Sequence, residues 1–298
     1  MPVLIEGVSI RLVYSQEKES EASMIHIITD SSSDIPNSLI EKYMIRVVPM
    51  TVQIDGQEYE EGIDLAPQEF YQKMFSSPEL PKTSQPAPNR FSELFEQFID
   101  AGETLCLTIS SKLSGSFQSA CLGKELSRNS HVTVFDSLAG SLGHGLQVLM
   151  AAEMGINGAS LENILSKLEK YRQEMKFLIR LDSLENIVKG GRLSRFQGSL
   201  AKLLNIKVML HNVDGSAEFL EKIHGHRHSL QHLLDLVGER CTDFSDRVVG
   251  ITHVNNIEDA SFLASEIQKR YHPKDILINE MGSTIATYAG KAGLIVAF

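Results

Sequence analysis

Serine hydroxyls are concentrated in one short segment of the chain, ISSKLSGSFQSA, at residues 109–120. The apolar run TLCLTI leads into this segment and a helical pattern follows it, so the serines lie where a strand is predicted to meet a helix. Ser110, Ser111, Ser114 and Ser116 could supply a nucleophile, a phosphate cradle or a receptor for another anion. They could also only cap the helix, with Gly115 between the last two.

Two of these chemistries lack the motif that they require. A serine nucleophile is expected in a G-x-S-x-G turn with an assignable His and Asp, and the chain has neither. The phosphate-loop pattern G-x-x-x-x-G-K-[ST] is also absent. The positive end of a helix favours a negative group near Ser114, but serine is also an ordinary capping residue. An anion receptor and a simple cap therefore both stay open at this point.

Two other hydroxyl-rich segments have the same predicted position relative to strands. TDSSSD (29–34) and KTSQP (82–86) are expected, like residues 110–117, at the carboxyl ends of strands in a parallel sheet. These ends lie along one edge of such a sheet, and ligands bind there. Three segments converging on that edge favour a ligand site over three unrelated caps.

A glycine pair followed by arginines occurs in KGGRLSRFQG (189–198). The pair predicts a tight turn that displays Arg192 and Arg195 as fixed cations. Arginine suits bidentate recognition of a carboxylate or phosphate, whereas a solvated helix end would have the same composition. The segment could therefore either bind an anion or form a solvated helix end.

A metal site has a single candidate, the segment HGHRH. If it were a strand, His224, His226 and His228 would face one way, with His232 nearby on a predicted helix. No carboxylate or cysteine completes an obvious ligand set, and exposed histidines on strands are common. We therefore expect no metal ion here.

The elements that position these residues indicate an α/β protein. Strands alternate with helices over residues 24–174, which predicts a mostly parallel sheet covered by helices on both faces. In residues 175–298, two strands joined at Asp214–Gly215 predict a mixed, partly antiparallel sheet. We expect two domains with a boundary near residue 174, and an N-terminal extension over residues 1–23.

Composition and charge exclude several classes of protein. The formal charge of −10 argues against a nucleic-acid-binding protein and against docking on an anionic membrane. No run approaches the roughly 18 apolar residues of a transmembrane helix. Cys106, Cys121 and Cys241 are odd in number and scattered, which suits free thiols in a reducing compartment. We expect a cytoplasmic protein without stable membrane insertion.

Taken together and in this order, these segments resemble the DegV family of bacterial fatty-acid-binding proteins. The resemblance runs from about residue 24 to the C-terminus and is most specific in KTSQP, then SKLSG, then KGGR. The matching segments are IITDSSSDIP (27–36), VVPMTVQIDGQEYEEGIDL (47–65), PKTSQP (81–86), SSKLSGSFQSA (110–120), VFDS (134–137), KGGRLSRFQG (189–198), LLNIKVML (203–210) and DG (214–215).

The resemblance implies a long-chain fatty acid buried between two α/β domains. It implies that Thr83 and Ser114 hold the carboxylate, and hydroxyl donors at a helix N-terminus suit that task. Members of the fatty acid kinase system present the acyl carboxylate to a separate ATP-using kinase subunit. That subunit makes an acyl phosphate for phospholipid synthesis, and the binding protein itself has no nucleotide site.

The chain departs from the family pattern in two places. Tyr288 in TYAGKAG takes the position of the usual His in an H-x-G-P-G segment, and the Pro is gone. Tyrosine can still donate a hydrogen bond to a carboxylate but carries no charge near pH 7. His224 replaces an Arg that is associated with kinase engagement in the family. Lipid binding is expected to survive both changes, whereas use of a kinase partner is left open.

The expected function is therefore non-enzymatic binding and carriage of a long-chain fatty acid, presented to a partner such as a fatty acid kinase. The alternatives are an enzyme acting on a small phosphorylated or carboxylated metabolite and a lipid-sensing regulatory protein. We expect no cofactor besides the bound fatty acid. We also expect a partner protein to contact His224. The residues expected to contact the ligand are Thr83, Ser84, Ser114, Gly115, Ser116, Arg192 and Tyr288.

Overall fold

The computed structural model describes residues 25–194 and 205–298; the extension predicted over residues 1–23 and Arg195 lie outside these ranges. The strands are β1 (Ile25–Asp30), β2 (Arg46–Val48), β3 (Thr51–Ile54), β4 (Gln57–Glu60), β5 (Lys82–Ser84), β6 (Glu103–Thr108), β7 (Val132–Asp136), β8 (Phe177–Leu181), β9 (Leu193–Ser194), β10 (Ile206–Val213), β11 (Ser216–His224), β12 (Val248–His253), β13 (Asp275–Glu280) and β14 (Leu294–Ala297). The helices are α1 (Asn37–Lys42), α2 (Pro67–Ser76), α3 (Pro88–Glu96), α4 (Ser116–Leu126), α5 (Leu142–Ile156), α6 (Leu161–Glu174), α7 (Glu185–Lys189), α8 (His226–Arg240), α9 (Ile257–Tyr271) and α10 (Ser283–Ala289). Within the described residues, no helix has both the length and the apolar character needed to cross a membrane.

Four strands of the N-terminal half form a fully parallel sheet in the order β2-β1-β6-β7. Successive side chains of a strand point to opposite faces, so Ile27 packs with α5 and α6. Its neighbour Ile28 packs with Phe91 of α3 and Ala120 of α4 on the other face. The prediction of a parallel sheet covered by helices on both sides is confirmed.

The segment KTSQP lies in a different place from the one predicted. Lys82–Ser84 are not a loop at the end of a parallel strand; they form β5, which pairs antiparallel with β3 and sets Thr83 opposite Val52. A second sheet, β4-β3-β5, results, and its hairpin turns at Asp55–Gly56 as predicted. A strand of three residues is too short to show a periodic pattern in the sequence. It is therefore recognised only by its pairing with the edge of β3.

The C-terminal half forms a seven-stranded mixed sheet in the order β13-β12-β14-β8-β10-β11-β9. The pairs β12–β13 and β11–β9 are parallel and the other pairs are antiparallel. Strands β10 and β11 turn at Asp214–Gly215, where both residues have positive φ. The predicted mixed sheet is confirmed, whereas the domain boundary near residue 174 stays a prediction.

One apolar core is shared by the two halves of the chain. Ile179 and Leu181 of β8 face it, and they meet Val52 of β3 and Phe70 of α2. Leu178 points the other way, into a second core beneath α8 and α9. The face of the large sheet that bears Ile179 therefore packs against the small sheet, and the interior between them is apolar.

The histidine segment does not form the continuous strand that would align its side chains. Strand β11 ends at His224, Gly225 has a φ of +89°, and α8 begins at His226. The glycine turns the chain, so His224 and His226 belong to different elements. No group of three or more His, Cys, Asp or Glu side chains able to hold a metal ion occurs within residues 25–194 and 205–298.

The turn between α10 and β14 holds an alanine in a left-handed conformation. Ala292 has a φ of +57°, which costs a non-glycine residue about 1–2 kcal/mol. Ala292→Gly relieves this strain, but glycine also raises the entropy of the unfolded chain, so the net stabilisation is expected to be roughly 0.5–1 kcal/mol. Urea unfolding would measure the change. Ala297→Gly in extended strand β14 is the matched control and should destabilise; a similar loss at Ala292 would contradict the prediction.

Candidate functional site

A cavity of about 420 Å³ lies in the shared core, within the usual size range of small-molecule sites. Its apolar walls comprise Met50, Ile109, Leu113, Gly140, Phe177, Ile179, Leu181, Ile187, Ala217, Ile285, Ala289 and Ile295. The remaining lining residues are Thr83, Ser84, Gln85, Ser114, Gly115, Arg192, Thr284 and Tyr288. Among the described residues, Arg192 is the only lining residue with a formally charged side chain at neutral pH.

Ser114 and Gly115 enter the cavity from the loop between β6 and α4. The loop turns back after the strand, with the Ser114 N–H donating to the Ser110 carbonyl at 3.1 Å. The Ser114 hydroxyl oxygen accepts from the Ser116 N–H at 3.3 Å, just before α4 begins. This contact places the Ser114 hydroxyl beside the free N–H groups of the first helical turn.

Ser116 does not line the cavity, in contrast to the prediction. It is the first residue of α4, it is completely buried, and its hydroxyl lies 3.5 Å from the Met50 sulfur. Ser114 and Ser116 are two residues apart and their hydroxyls lie 3.3 Å from each other, but only Ser114 lines the cavity. Its hydroxyl is therefore part of the protein interior, and the N-cap position of α4 is held by Gly115.

The Gln85 side chain approaches Gly115 closely. A Cβ atom at residue 115 would lie 1.8 Å from Gln85 Oε1, so any side chain there would displace the glutamine. This contact joins the β5 segment to the start of α4. Gln85 was not predicted from the sequence as a site residue. Its only signal there was its place two positions after Thr83 in TSQP.

Thr83 and Tyr288 meet at the same end of the cavity although they are 205 positions apart in the chain. Their hydroxyl oxygens lie 2.5 Å apart, and either can be the donor. Gly190 leaves room for the tyrosine, because a Cβ atom there would lie 2.3 Å from a ring carbon of Tyr288. Gly190 of the pair in KGGR therefore has a packing role in addition to the predicted turn.

Arg192 lies against the tyrosine ring, with its guanidinium carbon 4.9 Å from the ring centroid. Its Nε donates to the Leu113 carbonyl at 3.2 Å, and its Nη1 donates to the Gly190 carbonyl at 2.7 Å. These contacts hold the cation beside the residue that precedes Ser114. The predicted turn is present, with Gly191 at a φ of +72°.

These contacts define one polar end of the cavity. It comprises Thr83, Ser84, Gln85, Ser114, Gly115, Arg192 and Tyr288. Ser84 and Gln85 are exposed, so this end reaches the solvent. The structure thus brings together six of the seven residues predicted to contact a ligand. It leaves out Ser116, and His224 stands exposed at the end of β11, outside the cavity lining.

Among the described residues that line the site, none is a general base that could activate a serine. Within the described residues, no histidine, aspartate or glutamate lines the cavity. The side-chain hydrogen bond of Ser114 goes to another serine, Ser116, at 3.3 Å. Nucleophilic catalysis by a serine needs an adjacent general base, so the geometry suits binding of an anion better than acyl transfer.

Three comparisons identify similar proteins. A family model described as an uncharacterised protein of the DegV family matches residues 24–298. A DegV domain-containing protein of Caldanaerobacter subterraneus is 34% identical over 267 residues, which are 89% of this chain and 95% of that protein. The solved structure of a DegV family protein from Thermus thermophilus, described as binding fatty acid, has a TM-score of 0.86 and 32% identity and covers 92% of this chain and 99% of that one. DegV of Bacillus subtilis, described as a fatty acid binding protein, has a TM-score of 0.84 and 29% identity, with coverages of 92% and 98%.

Proposed function

The chain belongs to the DegV family, and from that membership we propose that it binds a long-chain fatty acid in the cavity and carries it chemically unchanged. The division of the cavity lining into a polar end and apolar walls carries this proposal. A fatty acid has the same division between its carboxylate and its hydrocarbon tail. The relatives from Thermus thermophilus and Bacillus subtilis support the same class of ligand.

The apolar walls account for the affinity. Each CH₂ group removed from water contributes about 0.8 kcal/mol, so a tail of about sixteen carbons offers a large driving force. Phe177, Ile179 and Ile295 present buried side chains to that tail from the large sheet. The same surface would gain little from a small polar metabolite.

The polar end accounts for orientation. In the proposed complex, Thr83, Ser114 and Tyr288 donate hydrogen bonds to the carboxylate, and Arg192 supplies a positive charge beside them. Hydrogen bonds to an ionised acceptor are roughly twice as strong as those between neutral groups. Because this end reaches the solvent, the carboxylate would keep part of its hydration.

Lipid analysis of the purified chain tests the proposal directly. Extraction under denaturing conditions followed by mass spectrometry is expected to release fatty acids of roughly fourteen to eighteen carbons, the length that suits tail burial. The delipidated chain should then gain thermal stability on addition of oleate, since a ligand that binds only the folded state stabilises it. An empty cavity together with no thermal shift would refute lipid binding. Methyl oleate serves as the control ligand, because it has the tail without the carboxylate.

Presentation of the bound carboxylate to a fatty acid kinase subunit is the finer part of this proposal. His224 is exposed and could contact such a partner. A cytoplasmic location belongs to the same proposal, because Cys106, Cys121 and Cys241 are free thiols that a reducing compartment would preserve. A pull-down from the native host that recovers an ATP-using kinase would support it, and recovery of other partners alone would favour the lipid-sensing alternative.

A further inference from the structure

Two buried carboxylates, Asp34 and Glu61, lie outside the lipid cavity and have no part in the proposed carboxylate binding. Asp34 follows the short 3-10 turn Ser31–Ser33, and Glu61 follows β4. Both reach the segment that begins α10 in the C-terminal half. They therefore connect the two halves of the chain through residues that are far apart in the sequence.

Glu61 holds the first residues of α10. Its Oε1 accepts from the Thr284 N–H at 2.6 Å and from the Ser283 hydroxyl at 3.1 Å. Its Oε2 accepts from the Thr284 hydroxyl at 2.8 Å and from the Ser31 hydroxyl at 2.5 Å. Four donors therefore converge on one carboxylate, three of them from α10.

Asp34 holds the residue immediately before that helix. Its Oδ1 accepts from the Gly282 N–H at 2.8 Å, and its Oδ2 lies 2.6 Å from the Ser141 hydroxyl. A Cβ atom at Gly282 would lie 2.5 Å from Glu61 Oε1 and 3.1 Å from Asp34 Oδ1. Both carboxyl groups thus approach one glycine, which brings them near each other.

The helix that these carboxylates hold is also a wall of the lipid cavity. Thr284, Ile285, Tyr288 and Ala289 of α10 all line it, and Thr284 is itself a hydrogen-bond partner of Glu61. Tyr288 at the other end of the helix bonds to Thr83 in the polar end. A movement of the helix start would therefore be transmitted to both the tail and the carboxylate of a bound lipid.

The pair lacks a balancing cation among the residues that the structure describes. Within the described residues, neither Asp34 nor Glu61 forms an ion pair with a lysine or arginine. The titratable groups that face them are acidic or neutral: Asp30 from β1 and Tyr71 from α2, with Glu280 of β13 and His253 of β12 beyond Tyr71. Burial raises the pKa of Asp34 well above its usual range, and the nearby Glu61 charge adds to the increase. Burial also raises the pKa of Glu61, although its hydrogen bonds oppose the rise.

We propose that Asp34 and Glu61 form a proton-dependent latch that positions α10, and that loss of the proton that keeps one of the two carboxyls neutral loosens this wall of the cavity. The latch itself is independent of any ligand, whereas its effect on lipid rests on the proposed function. A carboxylate pair with one proton keeps a single negative charge to accept the four donors at Glu61. Loss of that proton leaves two unpaired charges in the interior, which favours a state in which water reaches them.

The sign of the pH dependence follows from linkage. A carboxyl whose pKa is higher in the latched state than in the open state stabilises the latched state when it is protonated. That contribution is complete below the open-state pKa near 4 and is lost as the pH rises through the higher latched-state value. The helix start is therefore held at mildly acidic pH and released as the pH increases, by about tenfold for each pKa unit between the two states.

Hydrogen exchange of the delipidated full chain tests the latch without involving lipid. Protection factors of the α10 amides, corrected for intrinsic exchange, are expected to fall at least about tenfold relative to those of α9 between pH 5 and pH 9. Asp34→Asn should keep them high and nearly independent of pH, because its amide mimics the protonated carboxyl. Glu61→Gln should lower them at every pH, because its NH₂ group faces donors. Flat protection in the wild type, or an unchanged profile in Asp34→Asn, would refute the latch.

Oleate dissociation into phospholipid vesicles tests the coupling separately. The dissociation rate is expected to rise with pH in the wild type and to stay low in Asp34→Asn. Glu280→Gln is the matched control, since it removes a nearby carboxylate that contacts Gln68 and not α10, and it should behave like the wild type. No oleate binding with pH-dependent α10 protection would refute the proposed function alone; binding with flat protection would refute the latch alone.

Discussion

Removing both hydroxyls of the Thr83–Tyr288 pair, as Thr83→Val with Tyr288→Phe, is expected to weaken oleate binding by about a hundredfold or more. A hydrogen bond to a charged group contributes about 1.5–3 kcal/mol, and every 1.4 kcal/mol is tenfold in affinity. Both replacements keep the shape of the side chain, so the apolar walls are unchanged. The loss should therefore appear in binding of the carboxylate, with little change in stability.

Each single variant is expected to lose less oleate affinity than half of the double variant's loss, compared on a logarithmic scale. The two oxygens lie 2.5 Å apart, so in the free protein one hydroxyl donates to the other. Removing either group leaves the remaining hydroxyl free to donate to the ligand, with a loss of about tenfold or less.

Titration of the delipidated variants with oleate and with methyl oleate separates the carboxylate contribution from that of the tail. Thr51→Val is the matched control, because Thr51 lies on β3 opposite Ser84 but does not line the cavity. It should bind oleate as the wild type does. Equal losses for oleate and methyl oleate in the double variant would contradict carboxylate binding by this pair.

Arg180→Ala is expected to destabilise the protein by about 3 kcal/mol, because it removes a completely buried cation from a network of partners. Arg180 lies on the face of β8 opposite the cavity, and its Nη1 donates to Asp182 at 2.7 Å and to the Ala292 carbonyl at 3.3 Å. Its Nη2 donates to His226 Nδ1 at 3.0 Å, and its Nε donates to the Ser229 hydroxyl at 3.2 Å. Truncation removes these four hydrogen bonds and opens a void, although Asp182 keeps Lys207 and the Ala292 carbonyl keeps Asn256 as a partner.

Urea unfolding of Arg180→Ala and Arg180→Met separates the two causes. Methionine fills most of the space without donating hydrogen bonds, so it is expected to lose about half as much stability, roughly 1–2 kcal/mol. Asp182 keeps Lys207 as a partner at 2.6 Å in both variants, which limits the cost. A loss below about 1 kcal/mol for Arg180→Ala would show that the network contributes little.

Hydrophobic periodicity and turn residues account for the parts of the fold that were predicted correctly. The parallel sheet, the mixed sheet and the turns at Asp55–Gly56 and Asp214–Gly215 all follow from patterns within a few residues. KTSQP was placed wrongly, and HGHRH is not the continuous strand on which its histidines would have faced one way. A three-residue strand has too few residues to show a period, and one glycine converted an apparent strand into a strand and a helix.

The sequence by itself determined which groups are available: clustered hydroxyls, a glycine-paired arginine and enough apolar residues to enclose a tail. Only the tertiary structure decided that Ser114 faces the cavity while Ser116 faces Met50, and that Gln85 packs on Gly115. Local sequence patterns show which face of a helix or strand is buried, but not which element packs against that face. The Thr83–Tyr288 contact and the hold of Glu61 on α10 each span more than 200 residues, so they depend on how the two sheets pack against a shared core.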